Sequence, residues 1–567
     1  MLIIEFITIF LFPFLISFQI LLFGYGTKKI IFNEKFLYKS KNIYILVGLA
    51  IYGNLLLLIN FVSPLDKYIT TTIYFIPFLF LYFVKITDVK KLFIYSIKFS
   101  VFFALLISYD NINRPDAGLY HYPYINILNN EKIIIGLANL HFRFGHTSII
   151  QFISAGYNNF VFSDKGTLIP IALIFFSVCN YFYNELKSNL SQNKLLYYLS
   201  FFLLIQILYD MNRYSGYGND VPGHLLFLFC CYYLIKNKFL DYRSFFIISS
   251  LCIFTFQNKS TLGLILIIPI FLIFFYNKFN YLFKISNLIL ISMISFWFIK
   301  NILISGCLLF PKESTCIKSL YWNSSLIYNV NSAEKVSVEN EARSKDHPNR
   351  VDRKLNYTDF LESNWRPTWI NGHGKKVVLK KILPIIILLI AVSIYVRIFQ
   401  RKLNYNNFNK QEENKNISIL IFSLLGVLVW FENFPTYRYG SSYIIFFIIS
   451  LSAFINRKHF SQINKILNHK LIYFFIFVLI IKFSLKYNPN QNLWPNIYDY
   501  NSKNLIPPKV KNIKVNNEIG YYTTVNGKVC MSNLAPCTNL VVHESIDVKK
   551  ENNYKVFFLN STRLSLK

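Results

Sequence analysis

The sequence predicts an all-α polytopic membrane bundle of about fourteen transmembrane helices, with a small β-rich C-terminal unit outside the cytoplasm. Three observations predict it. Apolar runs recur along the whole 567-residue chain, which is 54% hydrophobic and 18% aromatic. Charged residues make up 15%, against roughly 25% in soluble domains. Lys gathers in alternate short loops between the apolar runs, as the positive-inside rule requires of cytoplasmic loops.

The apolar spans run 2–24, 42–62, 68–84, 92–109, 167–186, 195–209, 221–235, 244–256, 261–276, 285–305, 382–399, 417–431, 439–455 and 471–485. The first starts at Leu2 without a basic n-region or a small-residue cleavage site, so it reads as a retained helix. The pair 244–256 and 261–276 is separated by Gln257-Asn258-Lys259-Ser260 and reads as broken or tilted helices. Basic loops around Lys28, Lys90, Lys187, Lys236, Lys278, Arg401 and Lys458 are cytoplasmic on this reading, which puts the N-terminus outside.

The resulting units are N-terminal transmembrane helices (1–109), a first large outer loop (110–166) and a transmembrane core (167–305). A second large outer loop (306–381), C-terminal transmembrane helices (382–485) and an extracytoplasmic tail (486–567) follow. In the tail, 520–529 and 540–548 read as strands around Met531-Ser532-Asn533. The location is a plasma (inner) membrane, multi-pass. The formal charge of +31 suggests nucleic acid at first, but its place in short interhelical loops assigns it to anionic lipid, at about 1 kcal/mol per Lys. Nucleic acid is therefore excluded as a partner.

Eight Cys divide by position. Cys179, Cys230, Cys231 and Cys252 fall in apolar spans and read as small core residues. Cys307 with Cys316, and Cys530 with Cys537, lie close together on the outer side and read as disulfides.

Arg marks where the chemistry lies. Lys outnumbers Arg by more than three to one. Yet Arg114, Arg143, Arg213, Arg343, Arg350, Arg353, Arg366 and Arg438 all fall on the assigned outer side, where cations are depleted. The planar guanidinium suits phosphate or carboxylate. Arg343, Arg350 and Arg353 read as solvated charges in a polar loop. The outer loop is densest: Asp110 through Asp116, then His121, His141, Arg143 and His146. Asp116 or Asp110 can serve as general base toward a hydroxyl acceptor, although Asp110 also reads as a plain helix-end residue. The spacing of the three His matches no standard metal site. No metal ligand is assigned, and a divalent metal ion stays open as a cofactor. Asp220 precedes Pro222 at a helix start, so capping competes with a binding role. Lys259 sits between apolar spans, where an ionisable group points to function. Glu432 through Tyr439 forms a further outer turn. Trp322, Trp365 and Trp369 read first as interfacial anchors.

This arrangement resembles the GT-C superfamily of membrane glycosyltransferases, whose first large outer loop carries an acidic residue after a helix end. Finer features resemble an uncharacterised family of bacterial multi-pass proteins related to it. They are Asp116-x-x-x-Tyr120-His121, Gly136-Leu137-x-Asn139-Leu140-His141-x-Arg143, Ser305-Gly306 through Phe310-Pro311, Pro435-x-x-Arg438 and Cys530…Pro536-Cys537. Three predicted helices precede the helix before the catalytic loop, where many GT-C enzymes have one. The resemblance implies transfer from a polyprenyl-phosphate-linked sugar to a glycan, lipid or protein acceptor, with inversion at the sugar carbon. Asp116 would be the base. Arg114, His121, His141, Arg143, Arg213, Asp220, Lys259, Arg366 and Arg438 would bind substrate. Two other classes compete. A lipid-linked glycan transporter or flippase would place ionisable groups at mid-membrane in repeated halves. An O-antigen polymerase or ligase would use the outer Arg residues without needing Asp116.

Overall fold

Long apolar runs without strand-like alternation favour helix, because in an apolar setting each backbone N–H and C=O must find its partner within the segment. A computed structural model of the chain describes residues 2–32, 40–109, 113, 116–189, 193–210, 216–237, 241–323, 365–399, 410–457, 473 and 493–495, and in the C-terminal part 499–500, 503–504, 510–515, 519–525, 529–530, 534–539, 542 and 546–559. Four helices open the chain: α1 (Leu2–Phe32), α2 (Lys41–Val62), α3 (Lys67–Phe75) and α4 (Ile86–Tyr109). Asp66 caps α3 by accepting from the Ile69 N–H at 2.8 Å. The straight helix expected at 68–84 is instead split. Pro77 lacks an N–H and follows α3 in a tighter 3-10 stretch, Ile76–Phe83.

The first large loop is wound rather than open. A π-type turn (Ala117–His121) leads into α5 (Tyr122–Asn130), α6 (Leu137–Leu140), a 3-10 turn (Phe142–His146) and α7 (Ile149–Gly156). Ser148 and Gln151 form a reciprocal capping box that starts α7. The chain continues through α8 (Ile169–Asn189), α9 (Lys194–Asp210), α10 (Asp220–Lys236) and α11 (Tyr242–Asn258). The expected break near Lys259 is present: Lys259 is extended, and a 3-10 stretch, Ser260–Leu266, precedes α12 (Ile267–Phe275). Then come α13 (Asn287–Ser305), a stretch with π-type turns from Trp365 to Ile382, α14 (Leu383–Phe399), α15 (Lys410–Asn433) and α16 (Tyr437–Ile455).

Eight helices among the described residues are long and apolar enough to cross a membrane: Ile3–Phe32, Lys41–Val62, Ile86–Ser108, Ser163–Ser188, Asn287–Ser305, Trp365–Ile394, Asn416–Asn433 and Tyr437–Ile455. They are compatible with a multi-pass membrane protein. The helices α9, α10 and α11 have 17 residues each and are almost wholly buried. At 1.5 Å per residue each spans about 25 Å, the short limit for a crossing. Apart from Tyr473, the expected span 471–485 lies outside the described residues.

Polar contacts set the register of the bundle. Asn54 of α2 and Gln257 of α11 exchange amide hydrogen bonds at 2.9 and 2.8 Å. The Ile133 N–H donates to Asn60 O at 3.0 Å, and the Gly136 N–H to Leu303 O at 2.7 Å. The segment 117–156 is thereby stitched to the C-terminal ends of α2 and α13. The N-terminus of α2 and the C-terminus of α10 lie at the opposite end, where Lys236 pairs with Glu185 at 2.5 Å.

Among the described residues the tail holds three small sheets: β1 (Asp499–Tyr500) with β2 (Lys503–Asn504); β3 (Val510–Val515), β4 (Ile519–Thr524) and β5 (Cys537–Thr538); and β6 (Ile546–Glu551) with β7 (Tyr554–Leu559). The β6–β7 hairpin turns at Asn552-Asn553, both with positive φ, as a two-residue turn needs. Of the two expected strands, 520–529 falls on β4 through 520–524 and 540–548 on β6 through 546–548; 526–528, 540–541 and 543–545 lie outside the described residues. The turn at 531–533 lies outside the described residues. The hairpin docks on the loop: the Phe557 N–H donates to Ile135 O, and the Ile135 N–H to Lys555 O, each at 2.9 Å. Gly136 has φ +66°, and a Cβ there would sit 2.0 Å from Phe557 O. Both expected disulfides, Cys307–Cys316 and Cys530–Cys537, are present. Cys230, Cys231 and Cys252 are free and buried, and Cys179 is free and half-buried.

Candidate anion-binding and acid–base cleft

Asp116 stands immediately before the π-type turn, at the end of the bundle where α2 and α13 finish. Its carboxylate is half-exposed, and Oδ2 lies 4.0 Å from Arg438 Nη1. A contact this long between half-exposed groups contributes about 0–1 kcal/mol and parts readily for a ligand. Arg438 is the second residue of α16. Its Nη2 donates to the Tyr439 hydroxyl at 2.7 Å. His224 of α10 fixes the start of α16, donating from Nε2 to Arg438 O at 2.7 Å, with Nδ1 2.9 Å from Ser442 Oγ.

Lys259 reaches the same place from the break after α11. It pairs with Asp220, the first residue of α10. Its ammonium also lies over the Tyr439 ring, 4.3 Å from the centroid. Gly223 allows this approach, since a Cβ on it would meet Lys259 Cβ at 2.6 Å. Burial pushes the Asp220 carboxyl up, but Lys259 and then Arg438 outweigh it and hold the group down at about 2. Protein surrounds Asp220 densely, yet 38% of its side chain stays accessible. The Asp220 side chain thus stays partly open to solvent beside Lys259 and Arg438.

His121 ends the π-type turn and is buried. The Gln151 amide lies 3.3 Å from its Nδ1. Gln151 Oε1 already accepts from the Ser148 N–H, so the amide nitrogen faces the ring and Nδ1 is the acceptor. Burial foremost lowers the imidazole pKa to about 4; Asp116 and Asp220 oppose this, while Arg143 and Lys259 add to it. His121 is therefore neutral at neutral pH. Arg143 lies over the Tyr120 ring at 4.9 Å and the Phe142 ring at 5.4 Å. Its backbone N–H donates to His141 Nδ1 at 3.1 Å. Burial, and next Arg143, lower His141 to about 4. Burial and the Asp116 charge push the Tyr120 hydroxyl up.

The cleft thus gathers Asp116, His121, Arg143, Asp220, Lys259 and Arg438 from separate parts of the sequence. His141 lies against the same loop through Arg143. Arg366 is not shown to join them: its Nη2 lies 2.9 and 3.0 Å from the two carboxylate oxygens of Glu432. Asp110, Arg114 and Arg213 lie outside the described residues, as do Arg343, Arg350 and Arg353. Asp220 is not the cap of α10: Asn219 holds that position, and Asp220 is the first helical residue, with its side chain on Lys259. Among the described residues no group of three or more His, Cys, Asp or Glu is placed to share a metal ion.

Three further contributors received no role from the sequence, although Asp210 stands in a polar stretch with Arg213 and Tyr439 ends the turn that begins at Glu432. Tyr439 presents its ring to both Lys259 and Arg438. Asp210 accepts from Tyr437 at 2.7 Å and from Lys381 at 2.6 Å, tying α9 to the start of α16. Lys300, on α13, is fully buried. Of the three, Lys300 is the one the sequence reading left out, although a cation inside the apolar run 285–305 is a legible signal.

Residues 1–445 match the family described as "Domain of unknown function (DUF8201)", and the chain belongs to that family. Comparison with curated proteins and with solved structures gives no match. The matched region contains every residue of the cleft and stops short of the tail.

Proposed function

We propose that the chain is a GT-C-like glycosyltransferase with about fourteen membrane spans. It moves a sugar from a polyprenyl-phosphate donor to a cell-envelope glycan, lipid or protein acceptor at the outer face of the plasma membrane. One observation carries the reading: a half-exposed carboxylate, Asp116, faces Arg438 across a cleft that also holds the Lys259–Asp220 pair. The acceptor hydroxyl attacks the sugar carbon, and the carbon–oxygen bond to phosphate breaks. Asp116 takes the hydroxyl proton. The polyprenyl phosphate leaves with the bonding pair, its charge met by Arg438 and Arg143. Because Lys259 already satisfies Asp220, Asp116 is the carboxylate left to accept a proton.

The test compares surface glycans and lipid-linked intermediates in a deletion strain with those of the strain rescued by wild type, Asp116→Asn or Arg438→Ala. Wild type restores the glycan, and both variants leave the lipid-linked donor to accumulate. Full rescue by Asp116→Asn removes the general-base role. Unchanged glycans in the deletion strain remove the glycosyltransferase reading.

A further inference from the structure

A chain of buried polar side chains runs from α11 to the loop that Asp116 begins, and each member fixes the donor or acceptor role of the next. Asn258 Nδ2 donates to Phe254 O at 2.8 Å, so Asn258 Oδ1 is the acceptor that takes the Ser148 hydroxyl at 3.2 Å. The Ser148 N–H donates to Gln151 Oε1 at 2.8 Å. That leaves the Gln151 amide nitrogen, a donor, 3.3 Å from His121 Nδ1. A neutral imidazole that accepts at Nδ1 carries its hydrogen on Nε2. Asn258 and Ser148 are 1% exposed, and Gln151 and His121 5%, which keeps water from competing for these bonds.

Nε2 is the free end of this chain. Among the described residues it has no hydrogen-bond partner, and it is not one of the sealed orphan atoms of the interior. Leaving a buried N–H without a partner is costly, so a ring oriented this firmly with its donor unused points to a ligand that accepts from it. The π-type turn decides what lies beside it. In an α-helix, at about 100° per residue, Asp116 and His121 would project about 140° apart. The turn Ala117–His121 is wound i→i+5 instead, with the Tyr122 N–H on Ala117 O, and residues five apart return to nearly the same side. The Asp116 charge accordingly acts on the His121 ring. An anion on Nε2 would meet that like charge, so the fitting acceptor is a neutral oxygen.

We propose that Gln151 is a positioning residue that holds His121 as an Nε2–H donor, and that His121 binds a neutral oxygen, a hydroxyl or ether, of the hydroxylic acceptor held beside Asp116. The positioning half rests on the hydrogen bonds alone. The identity of the ligand as the sugar acceptor rests on the glycosyltransferase reading.

The test uses the full-length chain in nanodiscs, carrying nitrogen-15-labelled histidine. The His121 signals are those lost in His121→Gln, and the ring nitrogen shifts report which nitrogen holds hydrogen. Wild type shows a bare Nδ1 and a protonated Nε2 at pH 8 and at pH 6. Gln151→Glu keeps the capping box, since a carboxylate also accepts from the Ser148 N–H, but an ionised carboxylate cannot donate to Nδ1. At pH 8 this variant moves the hydrogen to Nδ1. The same variants are scored for surface-glycan synthesis at pH 8 in the deletion strain. Gln151→Glu and His121→Phe each lower the rate about tenfold, the upper scale of one neutral hydrogen bond. His121→Gln, whose amide can donate in place of Nε2, stays within about threefold of wild type. A protonated Nδ1 in wild type, or an unchanged tautomer in Gln151→Glu, overturns the positioning role. A reversed tautomer with full glycan synthesis overturns the ligand contact, and so does full synthesis by His121→Phe. Unchanged glycans in the deletion strain remove the glycosyltransferase reading and the ligand contact with it, while a tautomer that Gln151→Glu reverses still sustains the positioning role.

Discussion

Asp220 and Lys259 form an ion pair whose halves are unequally buried, which fixes an order of stabilities. The Lys259 side chain is 7% exposed and that of Asp220 is 38%. Asp220→Asn strands an ammonium in the interior, a loss of about 3–5 kcal/mol for a broken buried pair. The Tyr439 ring beneath it offsets about 1–2 kcal/mol, leaving about 1–4 kcal/mol. Lys259→Met strands a carboxylate that still reaches solvent, so the cost is nearer about 1 kcal/mol, as for a partly screened pair. The double variant recovers part of the loss, because no charge is left unpaired. The pH dependence has a definite sign. The folded Asp220 carboxyl lies below its usual 3.8, at about 2. A depressed carboxyl stabilises the fold above its unfolded value and loses that contribution as pH falls through the folded one. The gap between wild type and Asp220→Asn is therefore full near pH 6 and closes as pH falls from about 4 to about 2. Thermal unfolding in detergent, followed by tryptophan fluorescence, gives the ranking wild type, Lys259→Met, Asp220→Asn. A lower midpoint for Lys259→Met than for Asp220→Asn refutes the reasoning, and so does a gap that stays constant down to pH 2.5.

The Asp210–Lys381 pair reverses the order, since there the acid is buried at 6% exposure and the cation is 37% exposed. Lys381→Met should cost about 3 kcal/mol and Asp210→Asn about 1 kcal/mol, read as unfolding midpoints in the same assay; the opposite order counts against burial as the controlling variable. Removing the Cys530–Cys537 disulfide, whose cysteines are seven residues apart, costs about 2.5 kcal/mol of loop-closure entropy. The Cys530 N–H donates to Gly118 O at 3.0 Å, so Cys530→Ala should raise amide hydrogen exchange at 117–122, and unchanged exchange there would separate the tail from the loop.

What could be read from the sequence follows from how local each signal is. Apolar runs announce themselves residue by residue, so α2, α8, α13 and α16 lie close to the predicted spans. Pro77 was visible too, yet the apolar run masked its effect on 68–84. The winding of 110–166 was hidden because its pieces are short and polar. α7 depends on a capping box, and α6 rests on contacts with α13 and β7. Asp116, Arg143, Asp220, Lys259 and Arg438 stood out as charges near predicted helix ends, where charge is unusual. Their convergence was not legible, since it depends on which helix ends meet. Lys300 was missed through attention to loops, although a cation in an apolar run is the stronger anomaly. Tyr439 carries no charge, and its role comes only from having two cations against its ring.

The same constraint explains why the cleft lies where helices break. In an apolar bundle, irregular backbone persists only where protein or water satisfies its polar groups. Asp116 begins a π-type turn, Lys259 sits in the gap after α11, Asp220 opens α10, and Arg438 follows the turn at 434–436. Trp430 and Trp369 donate to Thr436 O and Pro435 O across that turn, at 2.9 and 2.6 Å. Each discontinuity frees backbone groups and lets a charged side chain reach a shared space. The tail completes the arrangement by supplying N–H groups to Gly118 O and Ile135 O. It lies beyond the region matched to the family, yet it closes the backbone of the loop that presents Asp116. A chain cut after residue 445 would keep every charged group of the cleft and lose the partners that hold its loop, so the cleft and the tail form one structural unit.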